Sequence, residues 1–160
     1  MRKRGKSIKS HTWNRLQRAV VDREQTDLHI FSSGFFTELS REGPDHVRSW
    51  TAKRTIDVFT KKLIFTPIHV HLHWCLCVVA NPGAMVNSAS VGGSLDDPLA
   101  CMMTLDSMGV NEEQRKFVGT KVMEWLNAEW RRTRREDDST DGGGPFNTET
   151  FPVLKPNGEL

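Results

Sequence analysis

The fold of this chain is restricted most by residues 66–83, which read T-P-I-H-V-H-L-H-W-C-L-C-V-V-A-N-P-G. Apolar residues recur there at every second position, which is the period of a β-strand. The alternation predicts one strand over residues 63–79, ended by the turn-forming sequence Asn81-Pro82-Gly83. One face of that strand is apolar, and the other carries His69, His71, His73, Cys75 and Cys77.

The sequence that follows predicts a second strand and a long helix. The apolar run L-A-C-M-M-T-L at 99–105 predicts the strand, and D-S-M-G at 106–109 leaves it. Asn111 is a favoured N-cap, and Gln114 occupies the position of a capping box. An apolar stripe follows and ends in R-R-T-R-R at 131–135, where positive charges suit the end of a helix.

Other segments give weaker signals. Helical spacing of apolar residues predicts short helices at 12–24 and 46–54, and an aromatic cluster at 30–39 predicts a short helix or turn. Two segments rich in small and polar residues, 84–98 and 136–145, are expected to be flexible loops. A chain of 160 residues is long enough for one modest domain.

Composition limits the class of protein. The chain is 37% apolar and 26% charged, and it has no long apolar run, so we expect neither a membrane span nor a secretory signal. A net charge of +2 is too small to indicate nucleic acid by itself. The basic run at 2–9 resembles a nuclear-import or anionic-surface patch, or is a disordered basic tail. Three cysteines do not make a disulfide framework, which favours a reducing compartment, the nucleus or the cytoplasm.

The histidines of the predicted strand allow three interpretations. A zinc site could use His69, His71 and His73: two imidazoles about 6–7 Å apart can share a zinc, but a third in line usually cannot unless the strand bends. The histidines could instead be hydrogen-bonded polar groups of a half-buried strand. The third interpretation is catalytic: if two neighbouring strands end at one rim, His73 meets Asp106 as the base and orienting acid of a triad, and a nucleophile is still required.

The order of these motifs resembles the ubiquitin-like-protein proteases, the SUMO-specific cysteine peptidases of the sentrin-specific protease family. The motifs that carry the resemblance are P-I-H-x-x-x-H-W-C-L-x-V-V at 67–79 and D-S-M-G at 106–109. It also takes in I-F-S-S-G-F-F-T-E-L at 30–39 and V-R-S-W-T-A-K-R at 47–54. Residues 14–135 are covered in this way.

The resemblance implies a papain-like α+β fold, a central sheet packed by helices, which this chain would contain incompletely at both ends. It implies that His73 is the general base, that Asp106 orients it, and that Trp74 lies over the C-terminal Gly-Gly of the substrate. The implied partner is SUMO or another ubiquitin-like protein and its conjugates. No cofactor, no metal and no membrane is implied, and nucleic acid is not expected as a partner.

The tail departs from the family pattern, which reads Gln-x-Asn-Gly-x-Asp-Cys-Gly where residues 155–160 read K-P-N-G-E-L. Lys155 stands at the position of the Gln that supplies an oxyanion-hole donor, and Leu160 stands at that of the Asp. The nucleophilic Cys would fall one residue beyond Leu160. Cys75 shares a strand face with His73, but a thiol within an apolar strand is usually inert.

These departures leave alternatives open. The chain is expected to be a partial and inactive form of a peptidase, or else a pseudoprotease that binds a ubiquitin-like protein without cleaving it. A zinc hydrolase built on the histidine strand is the remaining alternative. The expected organisation is a basic disordered tail at 1–10 and a partial catalytic domain at 11–160.

Overall fold

A computed structural model of the chain describes residues 27–70, 73–87, 99–106, 109, 112–134 and 144–155. The basic tail at 1–10, the helix predicted at 12–24 and the N-cap predicted at Asn111 lie outside these residues. Most of the loop predicted at 136–145 lies outside them as well.

Among the described residues, five strands form one sheet, in which the spatial order of the strands follows their order along the chain. They are β1 (Leu28–Ile30), β2 (Leu63–Val70), β3 (His73–Ala80), β4 (Cys101–Leu105) and β5 (Val153–Leu154). β3 is antiparallel to both of its neighbours, whereas β1 is parallel to β2 and β5 is parallel to β4. The second strand predicted from the sequence is confirmed as β4.

The single strand predicted over residues 63–79 is wrong, because the chain reverses between Val70 and His73 and forms an antiparallel hairpin of β2 and β3. The alternation of apolar residues continues through the reversal, and no Gly, Pro, Asn or Asp separates the two strands to mark it. Directly opposite residues of an antiparallel pair share a face of the sheet. Val70 pairs with His73 and His69 pairs with Trp74, so His69 and His73 lie on opposite faces.

The helices are α1 (Gly34–Glu42), α2 (Pro44–Val47), α3 (Ser49–Ala52), α4 (Pro82–Asn87) and α5 (Glu112–Arg134). α5 confirms the long helix, and α1 confirms the helical interpretation of the aromatic cluster. The helix predicted at 46–54 is divided between α2 and α3. None of the helices described is both long and apolar enough to cross a membrane.

The exposed loop predicted at 84–98 is wrong at its start, since residues 84–87 belong to α4. Pro82 suits the first residue of a helix, where an N–H would have no partner within the helix. Asn81 precedes it with φ of 46°, a left-handed conformation that Asn adopts more readily than most residues. The remaining residues of that predicted loop, 88–98, lie outside the described part of the chain.

The core lies between the helices and the face of the sheet to which His73 belongs. The sheet contributes Ile64, Ile68, Cys75, Cys77, Val79 and Met102. The helix α5 contributes Val118, Val122, Met123, Trp125 and Leu126. Phe35 of α1 is fully buried and packs against the rings of both Phe31 and Trp125. This packing holds α5 against the sheet, on the side of His73.

Candidate active site

The start of β3 and the end of β4 lie at one edge of the sheet. The two strands are antiparallel, and Leu76 pairs with Leu105 near this edge. His73 is the first residue of β3, and Asp106 directly follows the last residue of β4. The topology of the sheet therefore brings together two side chains that are 33 positions apart in the sequence.

The imidazole of His73 and the carboxylate of Asp106 form a hydrogen bond, with 2.5 Å between Nε2 and Oδ1. The Asp106 side chain is only 3% exposed, whereas that of His73 is 29% exposed. A hydrogen bond to a carboxylate is stronger when the carboxylate is shielded from water. The contact that the sequence predicted is confirmed, and the catalytic roles of the two residues stay predictions.

This hydrogen bond decides which ring nitrogen of His73 can act as a base. When Nε2–H donates to Asp106, the lone pair of the neutral ring is on Nδ1. Nδ1 can then accept a proton, and the carboxylate stabilises the imidazolium that forms. The pair therefore has the chemistry of a general base and its orienting acid, with a nucleophile still to be supplied.

Trp74 lies on the opposite face of the sheet from His73 and is 55% exposed. Its ring centroid lies 4.6 Å from that of His69, and the two ring planes meet at 32°. The zinc interpretation requires a row of histidines on one face of the sheet. His69 and His73 lie on opposite faces, and His71 is outside the described residues. Within the described ranges, no three His, Cys, Asp or Glu side chains are placed to hold a metal ion.

The strand β5 directs the chain toward the edge that holds the His73–Asp106 pair. It is parallel to β4, and Leu154 pairs with Met103. Because parallel strands run in the same direction, the chain leaves β5 toward the edge at which β4 reaches Asp106. Lys155 directly follows β5 and is half-buried. Its assignment to the oxyanion position stays a prediction.

The three cysteines, Cys75, Cys77 and Cys101, are free and buried. Burial raises the pKa of each thiol, to about 12 for Cys77. For Cys75 the negative charge of Asp106 adds to the effect of burial, while a hydrogen bond from Gln114 lowers the pKa. A thiol with a raised pKa stays protonated at neutral pH and is a poor nucleophile. None of the three is therefore suited to complete the site.

The side chain of Gln114 lies near the pair, although the sequence assigned it only to a capping box. It belongs to the first turn of α5, and its Nε2 lies 3.9 Å from the Sγ of Cys75. The signal for this location was the short connection between Asp106 and the start of α5 at Glu112, which keeps the first turn of the helix close to the edge of the sheet.

Comparison with known proteins gives a family match over most of the chain. The model for the Ulp1 protease family, C-terminal catalytic domain, matches residues 10–148. The probable ubiquitin-like-specific protease 2B of Arabidopsis thaliana is 30% identical over 156 residues, which covers 89% of this chain and 16% of that protein. The ubiquitin-like-specific protease 2 of Saccharomyces cerevisiae is 29% identical over 108 residues, covering 58% of this chain and 10% of that protein. The chain spans less than a fifth of the length of these relatives.

Two solved structures have a similar fold. The crystal structure of a de-sumoylating protease matches with a TM-score of 0.62 and 20% identity, covering 92% of this chain and 49% of that one. The C-terminal Ulp1 protease domain in complex with Smt3, the yeast ortholog of SUMO, matches with a TM-score of 0.53 and 20% identity, covering 86% of this chain and 53% of that one. The predicted α+β fold, a sheet packed by helices, is confirmed.

Proposed function

Since this chain belongs to the Ulp1 protease family, we propose that it carries the general base and the orienting acid of a cysteine peptidase that acts on SUMO or another ubiquitin-like protein. The observation that carries the proposal is the 2.5 Å hydrogen bond between Nε2 of His73 and Oδ1 of Asp106. The names of its relatives, which are ubiquitin-like-specific proteases, support the substrate class. So does the complex of the Ulp1 domain with Smt3.

In the proposed reaction, Nδ1 of His73 takes the proton of a nucleophilic thiol, and Asp106 stabilises the resulting imidazolium. The thiolate adds to the carbonyl carbon of the last glycine of the modifier. His73 then gives the proton to the leaving amine as the C–N bond breaks, and water hydrolyses the thioester. Trp74 is proposed to cover the Gly-Gly, and the ammonium of Lys155 is proposed to stabilise the oxyanion.

The thiol of this reaction is none of the three cysteines present, because each is buried and has a raised pKa. Without one member of a triad, an enzyme keeps only about 10³–10⁴-fold acceleration over water. We therefore expect no measurable peptidase activity from this 160-residue chain alone. Recognition of the modifier does not require the thiol, so we expect binding to persist.

A second candidate function is binding of a ubiquitin-like protein without cleavage. Two observations favour it: Trp74 is 55% exposed, and all three cysteines are buried. Both candidates use the edge of the sheet at the start of β3, where His73 and Trp74 are adjacent residues. They differ in whether the protein acquires a reactive thiol at Nδ1 of His73.

The experiment is a titration of the isotope-labelled chain with SUMO that ends in Gly-Gly and with SUMO that lacks these two residues. We expect saturable binding only of the first, weakened about 10-fold or more in Trp74→Ala, as for a central aromatic residue of an interface. Phe117→Ala is the matched control, because Phe117 is a similarly exposed aromatic residue, at 45%, on α5. Equal binding of both SUMO forms, or no binding of either, would contradict the proposal.

A cleavage assay tests whether any of the three cysteines acts as the nucleophile. SUMO joined to a fluorogenic amine is incubated with the chain and with its His73→Ala variant. If the fluorophore is not released, the result agrees with both candidates for the 160-residue chain. Release that depends on His73 would instead show that one of the buried cysteines becomes reactive, and it would overturn the assignment of the thiol.

The remaining expectations are part of this proposal. The reaction above uses protein groups and water, so it needs no cofactor. The nucleus or the cytoplasm is the proposed location, because three free thiols suit a reducing compartment. A division into a basic tail at 1–10 and a catalytic segment at 11–160 is proposed, and the family match that begins at residue 10 supports it.

A further inference from the structure

Cys75 lies next to the His73–Asp106 pair, on the same face of the sheet as His73. It is two residues after His73 on β3, so both side chains point to the same face of the sheet. Leu76 pairs with Leu105, and continuing this antiparallel register by one residue brings Asp106 opposite Cys75. The base, the acid and the thiol therefore share one corner of the sheet, and Cys75 is only 6% exposed.

Gln114, in the first turn of α5, contacts Cys75 from the side of the helix. Its Nε2 donates toward the Sγ of Cys75 at 3.9 Å, across 39 positions of the sequence. Burial first, and then the negative charge of Asp106, raise the pKa of Cys75. The thiol is consequently neutral at physiological pH, and a neutral thiol has one S–H to donate while its sulfur accepts weakly. A neutral donor beside a buried carboxylate is favourable, whereas a second negative charge there would not be.

We infer that Cys75 and Gln114 are positioning residues for the His73–Asp106 pair. The thiol of Cys75 packs against the Asp106 carboxylate and keeps water from it, and the Gln114 amide fixes the thiol. The carboxylate then stays directed at Nε2 of His73, which leaves Nδ1 as the base. This inference rests on the proposed function, to which it adds two residues that act through Asp106 and do not touch the substrate.

The inference is tested by the NMR signal of the His73 Nε2 proton, which a hydrogen bond to a carboxylate shifts downfield. The variants are Cys75→Ala, Cys75→Ser and the matched control Cys101→Ala, since Cys101 is a thiol of similar burial, 7% exposed, at the far end of β4. We expect the proton to exchange with water at least about 10-fold faster in Cys75→Ala. We expect the wild-type signal in Cys75→Ser, whose hydroxyl can donate and accept, and in Cys101→Ala.

Gln114→Leu provides a second variant in case Cys75→Ala does not fold, and faster exchange is expected there too. A wild-type signal in both Cys75→Ala and Gln114→Leu would overturn the positioning role while leaving the proposed function standing. The absence of the downfield signal in the wild-type chain would overturn the His73–Asp106 pair itself, and with it both proposals. If Cys101→Ala loses the signal as well, the effect is general destabilisation of the fold. That result would also overturn the positioning role.

Discussion

Replacement of Phe35 by Ala should remove a large part of the stability of this fold. Phe35 is fully buried, and its ring stacks on that of Phe31 at 3.7 Å between centroids. It also meets the edges of Trp125 at 5.2 Å and Trp50 at 5.6 Å. An aromatic side chain buries about 150–250 Å², which at about 25 cal/mol per Å² gives roughly 4–6 kcal/mol as an upper value. Measured losses for Phe→Ala in cores are about 3–5 kcal/mol, so we expect about 4 kcal/mol.

The assay is urea denaturation followed by tryptophan fluorescence, because Trp50 and Trp125 lie against the substituted ring. Phe117→Ala is the control: Phe117 is 45% exposed and has one edge-on contact, with Phe36 at 6.1 Å. It should cost less than about 1 kcal/mol, since surface changes are small. If Phe35→Ala costs no more than the control, then α1 is not packed against α5 as described.

Three further predictions concern stability. Thr51→Val removes a hydrogen bond of 3.0 Å to the buried Glu129 carboxylate and should cost about 1.5–3 kcal/mol in urea denaturation; a loss below about 0.5 kcal/mol would contradict it. Burial, followed by two nearby basic side chains, lowers the pKa of His29 to about 4 from 6.5. Between these two pH values the unfolded state binds the proton of His29 more readily than the folded state does. The contribution of His29 to the free energy of unfolding is therefore fully present above pH 6.5 and falls as the pH drops toward 4. The thermal midpoint of the wild type should fall more than that of His29→Phe over this range, and equal falls would refute the burial of this ring. Gly119→Ala should raise the free energy of unfolding by about 0.5–1 kcal/mol, because Ala favours the helix. The added Cβ would lie 3.4 Å from the Val153 side chain, which is an ordinary contact. A loss of stability in urea denaturation would show that β5 lies closer to α5 than described.

Much of the sheet and the longest helix could be predicted from the sequence because their signals are local and periodic. β4 is an apolar run bounded by polar residues, and α5 combines an apolar stripe with charges that suit both ends of its dipole. The His73–Asp106 contact was predicted from the idea that two neighbouring strands reach one rim and from the family resemblance, whereas the start of β3 at His73 was not predicted.

The reversal between Val70 and His73 could not be predicted from the alternation. A period of two looks the same in one long strand and in a hairpin whose turn lacks Gly, Pro, Asn and Asp. The consequence is large, since the hairpin moves His69 to the opposite face from His73 and packs it on Trp74. The zinc interpretation depended on a single strand over residues 63–79, without the reversal between Val70 and His73.

Contacts between distant segments also escaped prediction. The bond from Thr51 to Glu129 joins residues 78 positions apart, and that from Gln114 to Cys75 joins residues 39 positions apart. Each depends on how α5 packs against the sheet and the shorter helices, which no local pattern encodes. Polar residues inside an otherwise apolar stripe, such as Glu129, are the trace that such contacts leave in a sequence.

The ring of His73 provides the most direct measurement of whether this chain holds a base and its orienting acid. A long-range ¹⁵N–¹H correlation spectrum at neutral pH reports which ring nitrogen carries the proton, with the signals assigned through His73→Gln. The hydrogen bond to Asp106 requires the proton on Nε2 in the wild-type chain, and the Nε2–H signal should move upfield in Asp106→Ala, where this donor loses its acceptor. A wild-type ring protonated on Nδ1, or identical spectra for the wild type and Asp106→Ala, would contradict the pair on which the proposed chemistry depends.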